Sequence, residues 1–231
     1  SKYLNLSMEQ EEKNGARFGF YFLVLECVTN VKEVDDLKDM IIDTSFRSIV
    51  CGENNDDLGV DAVYINTDDK VIQLFNFKYR ESFKENKGQE LGDLVDVSRF
   101  LLPIDNDNTE GVTPVTKEKI DAILENLNLA ETWKLELYMV SNENRALQVT
   151  NPTVLQFIEK YGMTVHTITL SDIVSYISDF PKDLSAKFIT NATSVMTYEL
   201  DVLSSSKSYL IKLSLADVIR ITCSDENIRN N

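Results

Sequence analysis

Histidine is nearly absent from this chain: His166 is the only one in 231 residues. It alternates with Val165 and Thr167 in a strand-like run, and no Ser or Cys nucleophile has a recognisable setting near a partner base. A Ser-His or Cys-His enzyme therefore finds no support. Cys27, Cys51 and Cys223 are odd in number, far apart and in no C-x-x-C pair. That argues against a disulfide framework or a zinc site and suits a reducing cytoplasm, where the three act as small apolar side chains. The eight glycines form neither G-x-G-x-x-G nor G-x-x-x-x-G-K, so there is no glycine-rich phosphate loop. No apolar run reaches the ~18 residues that a membrane span needs. The longest, Phe18 to Val28, is short and has Arg17 at its edge and Glu26 inside it. A basic segment followed by an apolar stretch and a cleavage site is also missing from the N-terminal region. A cytoplasmic chain without a membrane partner is the expectation.

Positive charge is the next shortage. The formal net charge is −15. Affinity for nucleic acid comes mostly from Lys and Arg against phosphate, so a simple coating role on DNA is disfavoured. A local cleft can still carry the opposite field. Arg80, Lys84 and Lys87, with Lys78, form the densest basic cluster in the first half of the chain and are the candidate nucleic-acid contacts. Such a run is also what a solvated surface looks like.

With 43% hydrophobic residues the chain has enough apolar side chains for a core. The spacing predicts a helix from about Glu9 to Asn30, with Phe18, Phe22 and Leu25 apolar, and a second over Val34–Ser48. An acidic, turn-rich segment from Cys51 to Gly59 follows. Strands are predicted at Val60–Asn66 and Val71–Tyr79, joined by a hairpin-type turn at Thr67–Lys70. Gly88–Leu102 reads as a helix stopped by Pro103, and Lys117–Leu129 as another. Trp133–Val140 is a strand, Asn151-Pro152-Thr153 caps a helix to Tyr161, Met163–Leu170 is a strand, and Ser171 caps a helix to Ile177. Alternating strands and helices indicate an α/β domain over residues 1–181. A small β-rich module over 182–231 follows, with strands within Ala186–Val202 and Ser208–Leu213 and a helix starting at Leu215.

One constellation carries chemistry. Asp61 ends a Gly-containing turn, Asp57-Leu-Gly-Val-Asp61-Ala62, just ahead of a strand, where an acid can bind a hard divalent cation through oxygen. Asn76 and Lys78 sit two apart on the next strand and so share a face with Ile72 and Leu74. Lys78 could orient the attacking water and offset phosphate charge. The Phe77 carbonyl is a further metal ligand, and Glu26 on the first helix would add a carboxylate if it faced these strands. The bland alternatives are an acid at a strand edge, a lysine snorkelling to water and a helix-surface glutamate.

This order of helix with Glu26, acidic turn, hairpin and Asn76-Phe-Lys78 resembles the PD-(D/E)xK nuclease core, a restriction-endonuclease-like mixed sheet flanked by helices. More narrowly, Asp57-Leu-Gly-Val-Asp61-Ala-Val-Tyr-Ile and Ile72-Gln-Leu-Phe-Asn-Phe-Lys-Tyr-Arg80 resemble the N-terminal region of abortive-infection phage-resistance proteins, the AIPR family. Leu213 to Ile219 and Asn227-Ile-Arg229 resemble the passage into that family's longer C-terminal region. The resemblance implies a Mg²⁺- or Mn²⁺-dependent nuclease of DNA or RNA in bacterial phage defence. It gives Asp61 as central metal ligand, Asn76 as second ligand, Lys78 as catalytic lysine and Glu26 as helix-borne acid. The family pattern has Glu, Asp or Gln where this chain has Asn76, whose amide is neutral and one methylene shorter than Gln. Two other functions compete with it: a catalytically degenerate nuclease fold that binds nucleic acid or a protein, and an acidic nucleic-acid mimic. A homodimer is the default for an enzyme that cuts both strands of a duplex.

Overall fold

A computed structural model describes residues 4–84, 87–129, 131–178, 191–199, 207–217, 223–224 and 227–228. The chain forms two compact units, Ser1–Tyr176 and Ile177–Asn231. The first is an α/β domain: a mixed four-stranded sheet flanked by helices.

Its first helix, α1 (Met8–Thr29), starts at a reciprocal cap. Ser7 Oγ accepts from the Gln10 N–H, and Gln10 Oε1 accepts from the Ser7 N–H. It ends where Asn30 turns left-handed, at φ 59°. The apolar run expected over Val34–Ser48 is not one helix. The helix α2 (Val34–Met40) stops because Ile41 becomes extended and bridges to Ala62. The chain re-enters helix at α3 (Thr44–Phe46), where Asp43 Oδ1 accepts the Phe46 N–H at 2.6 Å, and then makes a π-turn over Arg47–Cys51.

Strand β1 (Ala62–Asn66) is antiparallel to β2 (Val71–Lys78), with Ala62 opposite Phe75. β2 runs parallel to β3 (Lys134–Ser141), and β3 parallel to β4 (Met163–Ile168), giving the order β1-β2-β3-β4. Alternation along β2 divides the interior. Ile72 and Leu74 join Val63, Leu137, Met139 and Val165 in one core, and Phe75 and Phe77 join Ala62, Phe18, Tyr21 and Phe46 in the other. Tyr21 stacks on Phe77 at a centroid distance of 4.5 Å, which sets α1 across the hairpin.

The crossover from β2 to β3 uses α4 (Leu91–Asp105) and α5 (Pro114–Leu127), and that from β3 to β4 uses α6 (Pro152–Tyr161). Two sequence expectations shift here. Helix α4 starts at Leu91 because Gly88 bridges to Arg145, so closely that a Cβ on Gly88 would meet the Arg145 carbonyl. Pro103 lies inside the last turn of α4 rather than ahead of it: the helix runs two residues further, to Asp105. Proline removes the bond that its N–H would give to the Arg99 carbonyl and crowds that turn, and the helix ends two residues on. Asn151 caps α6 as expected, its Oδ1 accepting from the Thr153 N–H. The helix α7 (Leu170–Ser178) opens one residue before Ser171, and it is Thr169, not Ser171, that bonds Asp172 Oδ2 through both N–H and hydroxyl.

Among the described residues of the second unit, β5 (Val195–Glu199) pairs antiparallel with β6 (Lys207–Ile211), and the two-residue strands β7 (Cys223–Ser224) and β8 (Asn227–Ile228) pair likewise. Much of the strand expected over Ala186–Val202 and of the helix expected from Leu215 lies outside the described residues. Among those described, no helix is long and apolar enough to cross a membrane.

Gly59 locks the acidic turn against α4. Its φ is +89°, and a Cβ there would sit 2.5 Å from the Asp96 backbone. Gly59→Ala should cost about 2–4 kcal/mol, since strained backbone and overpacking add; urea unfolding of the variant beside the parent measures it.

Candidate metal centre

Three carboxylates converge at the start of the hairpin. Asp43, Asp57 and Asp61 offer oxygens that all lie within 4.8 Å of one another. Each is held by local backbone. Asp43 is the N-cap of α3. Asp57 Oδ2 accepts from the N–H and hydroxyl of Thr44 at 2.9 and 2.8 Å, and its Oδ1 accepts from the Gly59 N–H at 2.8 Å. Asp61 Oδ2 accepts the Phe77 N–H at 2.6 Å.

The direction of Asp61 follows from a local irregularity of the sheet. Ala62 is the register partner of Phe75, yet the Asp61 N–H also donates to the Phe75 carbonyl at 2.8 Å. Two residues of β1's edge thus oppose one of β2, as in a β-bulge, which re-aims the side chain. The Asp61 carbonyl in turn accepts from the Ile42 and Asp43 N–H groups at 2.8 and 3.0 Å, bringing Asp43 alongside.

Arg17 and Tyr21 of α1 face this cluster. The Arg17 guanidinium lies 4.0 Å from Asp43 Oδ1. Burial pushes the Asp61 carboxyl well above the usual carboxylate range, the charge of Asp43 pushes the same way, and the Phe77 N–H opposes both. Burial also raises Asp43, against the Phe46 N–H and Arg17. The phenol of Tyr21 is raised by burial and then by Asp61 and Asp43, and so stays neutral.

The site residues expected from sequence are only partly brought together. Asp61 is central. Phe77 contributes its N–H to Asp61; in a strand the N–H and C=O of one residue point to the same side, so its carbonyl faces the β1 edge. Asn76 and Lys78 lie on the other face of β2 from the Phe77 ring, and both amide and ammonium are engaged. Asn76 Nδ2 donates to the Gly59 carbonyl at 3.0 Å, and Lys78 Nζ pairs with Asp93 Oδ1 at 2.6 Å. Glu26 stands apart from the cluster. It pairs with Lys32 at 2.9 Å and lines a separate groove with Gly15, Gly19 and Phe22. Helical spacing sends Arg17 and Tyr21, not Glu26, towards the hairpin.

The expected nucleic-acid contacts are also partly occupied. Arg80 Nε pairs at 2.7 Å with Glu143, which is fully buried, and the Lys84 N–H donates to the same carboxylate at 3.2 Å. Lys87 stands 3.8 Å from Glu90 at the surface. Asp43 and Asp57 are functional candidates that the sequence reading passed over. Asp43-Thr44-Ser45 carries a helix-start signature, but it lies inside the apolar run assigned to one long helix.

A search against known protein families, curated proteins and solved structures found no match.

Two outcomes follow. Because the folded carboxyls take up protons more readily than the unfolded ones, metal-free protein should lose stability as pH rises from the ordinary aspartate range, about 3.9, through the raised value of Asp61. Melting temperatures across that window should fall for the parent and flatten for Asp61→Asn. Arg80→Ala strands the buried Glu143 charge and should cost about 3–5 kcal/mol, read by denaturant unfolding.

Proposed function

We propose that the chain is a divalent-metal-dependent nuclease, hydrolysing phosphodiesters of DNA or RNA, built on a PD-(D/E)xK-like core and acting in phage defence as AIPR-like proteins do. The observation that carries this reading is the convergence of Asp43, Asp57 and Asp61 on the first strand of the hairpin, with Asp61 buried and proton-loving. Oxygen donors of this kind fit Mg²⁺ or Mn²⁺. Asp61 would be the central ligand, and Asp43 and Asp57 take the places that the sequence pattern gave to Glu26 and Asn76. The cation, when bound, supplies charge for the phosphate oxygens and a more acidic water.

The protein's own groups supply the rest. Hydrolysis adds one water to phosphorus and breaks one P–O ester bond, leaving a phosphomonoester and a hydroxyl. Asp43, Asp57 and Asp61 would hold the cation, and the proton that the attacking water gives up passes to bulk water. The Phe77 N–H fixes the Asp61 carboxylate while this happens. Lys78, at the end of β2, keeps the role of charge-offsetting lysine, held in place by Asp93.

A second reading has a specific observation in its favour. Lys78 is committed to Asp93 and Asn76 to the Gly59 carbonyl, as expected if these positions serve the fold and the domain only binds nucleic acid or a protein.

Incubation with supercoiled plasmid, single-stranded DNA and RNA in Mg²⁺ or Mn²⁺ separates the two. A nuclease cleaves at least one substrate, and Asp61→Ala and Lys78→Ala each lower the rate by two or more orders of magnitude, about the size that general acid–base or charge stabilisation supplies. A folded, metal-bound parent that cuts none of them would leave the binding module.

A further inference from the structure

Helix α4 carries more apolar side chains than its core uses. Leu94, Val97, Phe100 and Leu101 face the core and are buried. Leu91, Val95 and Leu102 are 37%, 58% and 53% exposed. At 3.6 residues per turn these three fall within about 40° of one another, so they form one line along the solvent side of the helix. Single exposed apolar residues are ordinary, but an aligned set marks a contact surface. Leu155 on α6, 50% exposed, widens it. α6 runs beside α4 in the same direction: Leu91 and Asn151 border one cavity at the helix starts, and Lys160 stands 3.9 Å from Asp105 at the ends.

The two flanks of this line differ. Asp105 and α6 lie on one side. Asp96 and Arg99 lie on the other, three residues apart and both exposed. A second α4 laid antiparallel on the first, with the two-fold axis level with the middle of Val97-Ser98, brings the same flank of each helix together. Asp96 of each copy then stands level with Arg99 of the other. Leu102 of each falls between Leu91 and Val95 of the other, about 3 Å along the axis from both at 1.5 Å per residue. The small Ser98 lies at the centre, where the helices approach. One register therefore gives both the opposite-charge pairing and the apolar interdigitation. Arg99 already meets Asp56 at 3.2 Å, but both are half exposed, and a guanidinium fork can take a second carboxylate.

We infer that α4, with Leu155 of α6, is the interface of a homodimer of this chain, an isologous antiparallel pairing of α4 on α4 closed by two Asp96–Arg99 pairs. The dimer does not depend on the nuclease reading, since α4 packs on the face of the sheet opposite α1.

Sedimentation velocity of the full chain and its variants over a wide range of concentrations tests it, with thermal melting to confirm that each variant folds. The parent should reach twice the mass of one chain. Val95→Glu puts a charge in the seam at an exposed position, and should fold and stay monomeric. Asp96→Arg and Arg99→Asp each set like charges against one another across the axis, and each should weaken self-association by roughly tenfold or more. Mixed in equal amounts, these two variants should associate as the parent does, because every facing pair is then one acid and one base. A parent that stays monomeric at all concentrations overturns the second copy as the occupant of this face. A dimer that Val95→Glu leaves intact places the interface elsewhere and overturns it too. Folded charge variants that associate no better mixed than alone overturn the antiparallel register.

Discussion

Every polar group of Asp61 is spent on tying the domain's first half together. Its N–H goes to the Phe75 carbonyl, its carbonyl to the N–H groups of Ile42 and Asp43, and its carboxylate to the N–H of Phe77. One residue thereby joins the end of α2, the entry to β1 and the end of β2. The constraint is costly, because the carboxylate is only 9% exposed and shares its surroundings with Asp43. Burial of two acids side by side favours either a shared proton or a bound cation. The same geometry thus makes both a stabilising hydrogen-bond junction and a set of carboxylate oxygens that could hold a metal ion.

Around that junction the fold divides its labour by the faces of β2. The Phe75 and Phe77 side builds the aromatic core under α1, and the Ile72 and Leu74 side builds the core under α4 and α5. Asn76 and Lys78 continue the second side but point to polar partners: Asn76 holds the Gly59 turn, and Lys78 holds the first turn of α4 through Asp93. Asp61 escapes that face because of the bulge opposite Phe75. Arg17 on α1 stands beside the acid cluster, 4.0 Å from Asp43 Oδ1.

Much of this was legible in the sequence because strong local signals decide it. The spacing of Phe18, Phe22 and Leu25, Asn151 with Pro152, and the alternation of Val71 to Lys78 each place an element within a residue or two. Asp61 was singled out too, from its place between a Gly turn and an apolar strand. What failed was what depends on non-local hydrogen bonds. Ile41 and Ile42 have helical spacing but are pulled extended by Ala62 and by the Asp61 carbonyl. Gly88 has no local reason to stay out of α4; its reason is Arg145 across the crossover. Asp43 was hidden by the first of these errors. Glu26 was chosen for standing out in an apolar run, but that run is wide, and its partner Lys32 lies just beyond the helix end.

The most direct measurement is a crystal structure of the chain grown with Mn²⁺, using the ion's anomalous scattering to locate it. A peak bonded to oxygens of Asp43, Asp57 and Asp61 is the predicted result. A fully loaded crystal with no peak among these three carboxylates would contradict the proposal of a metal centre at this junction.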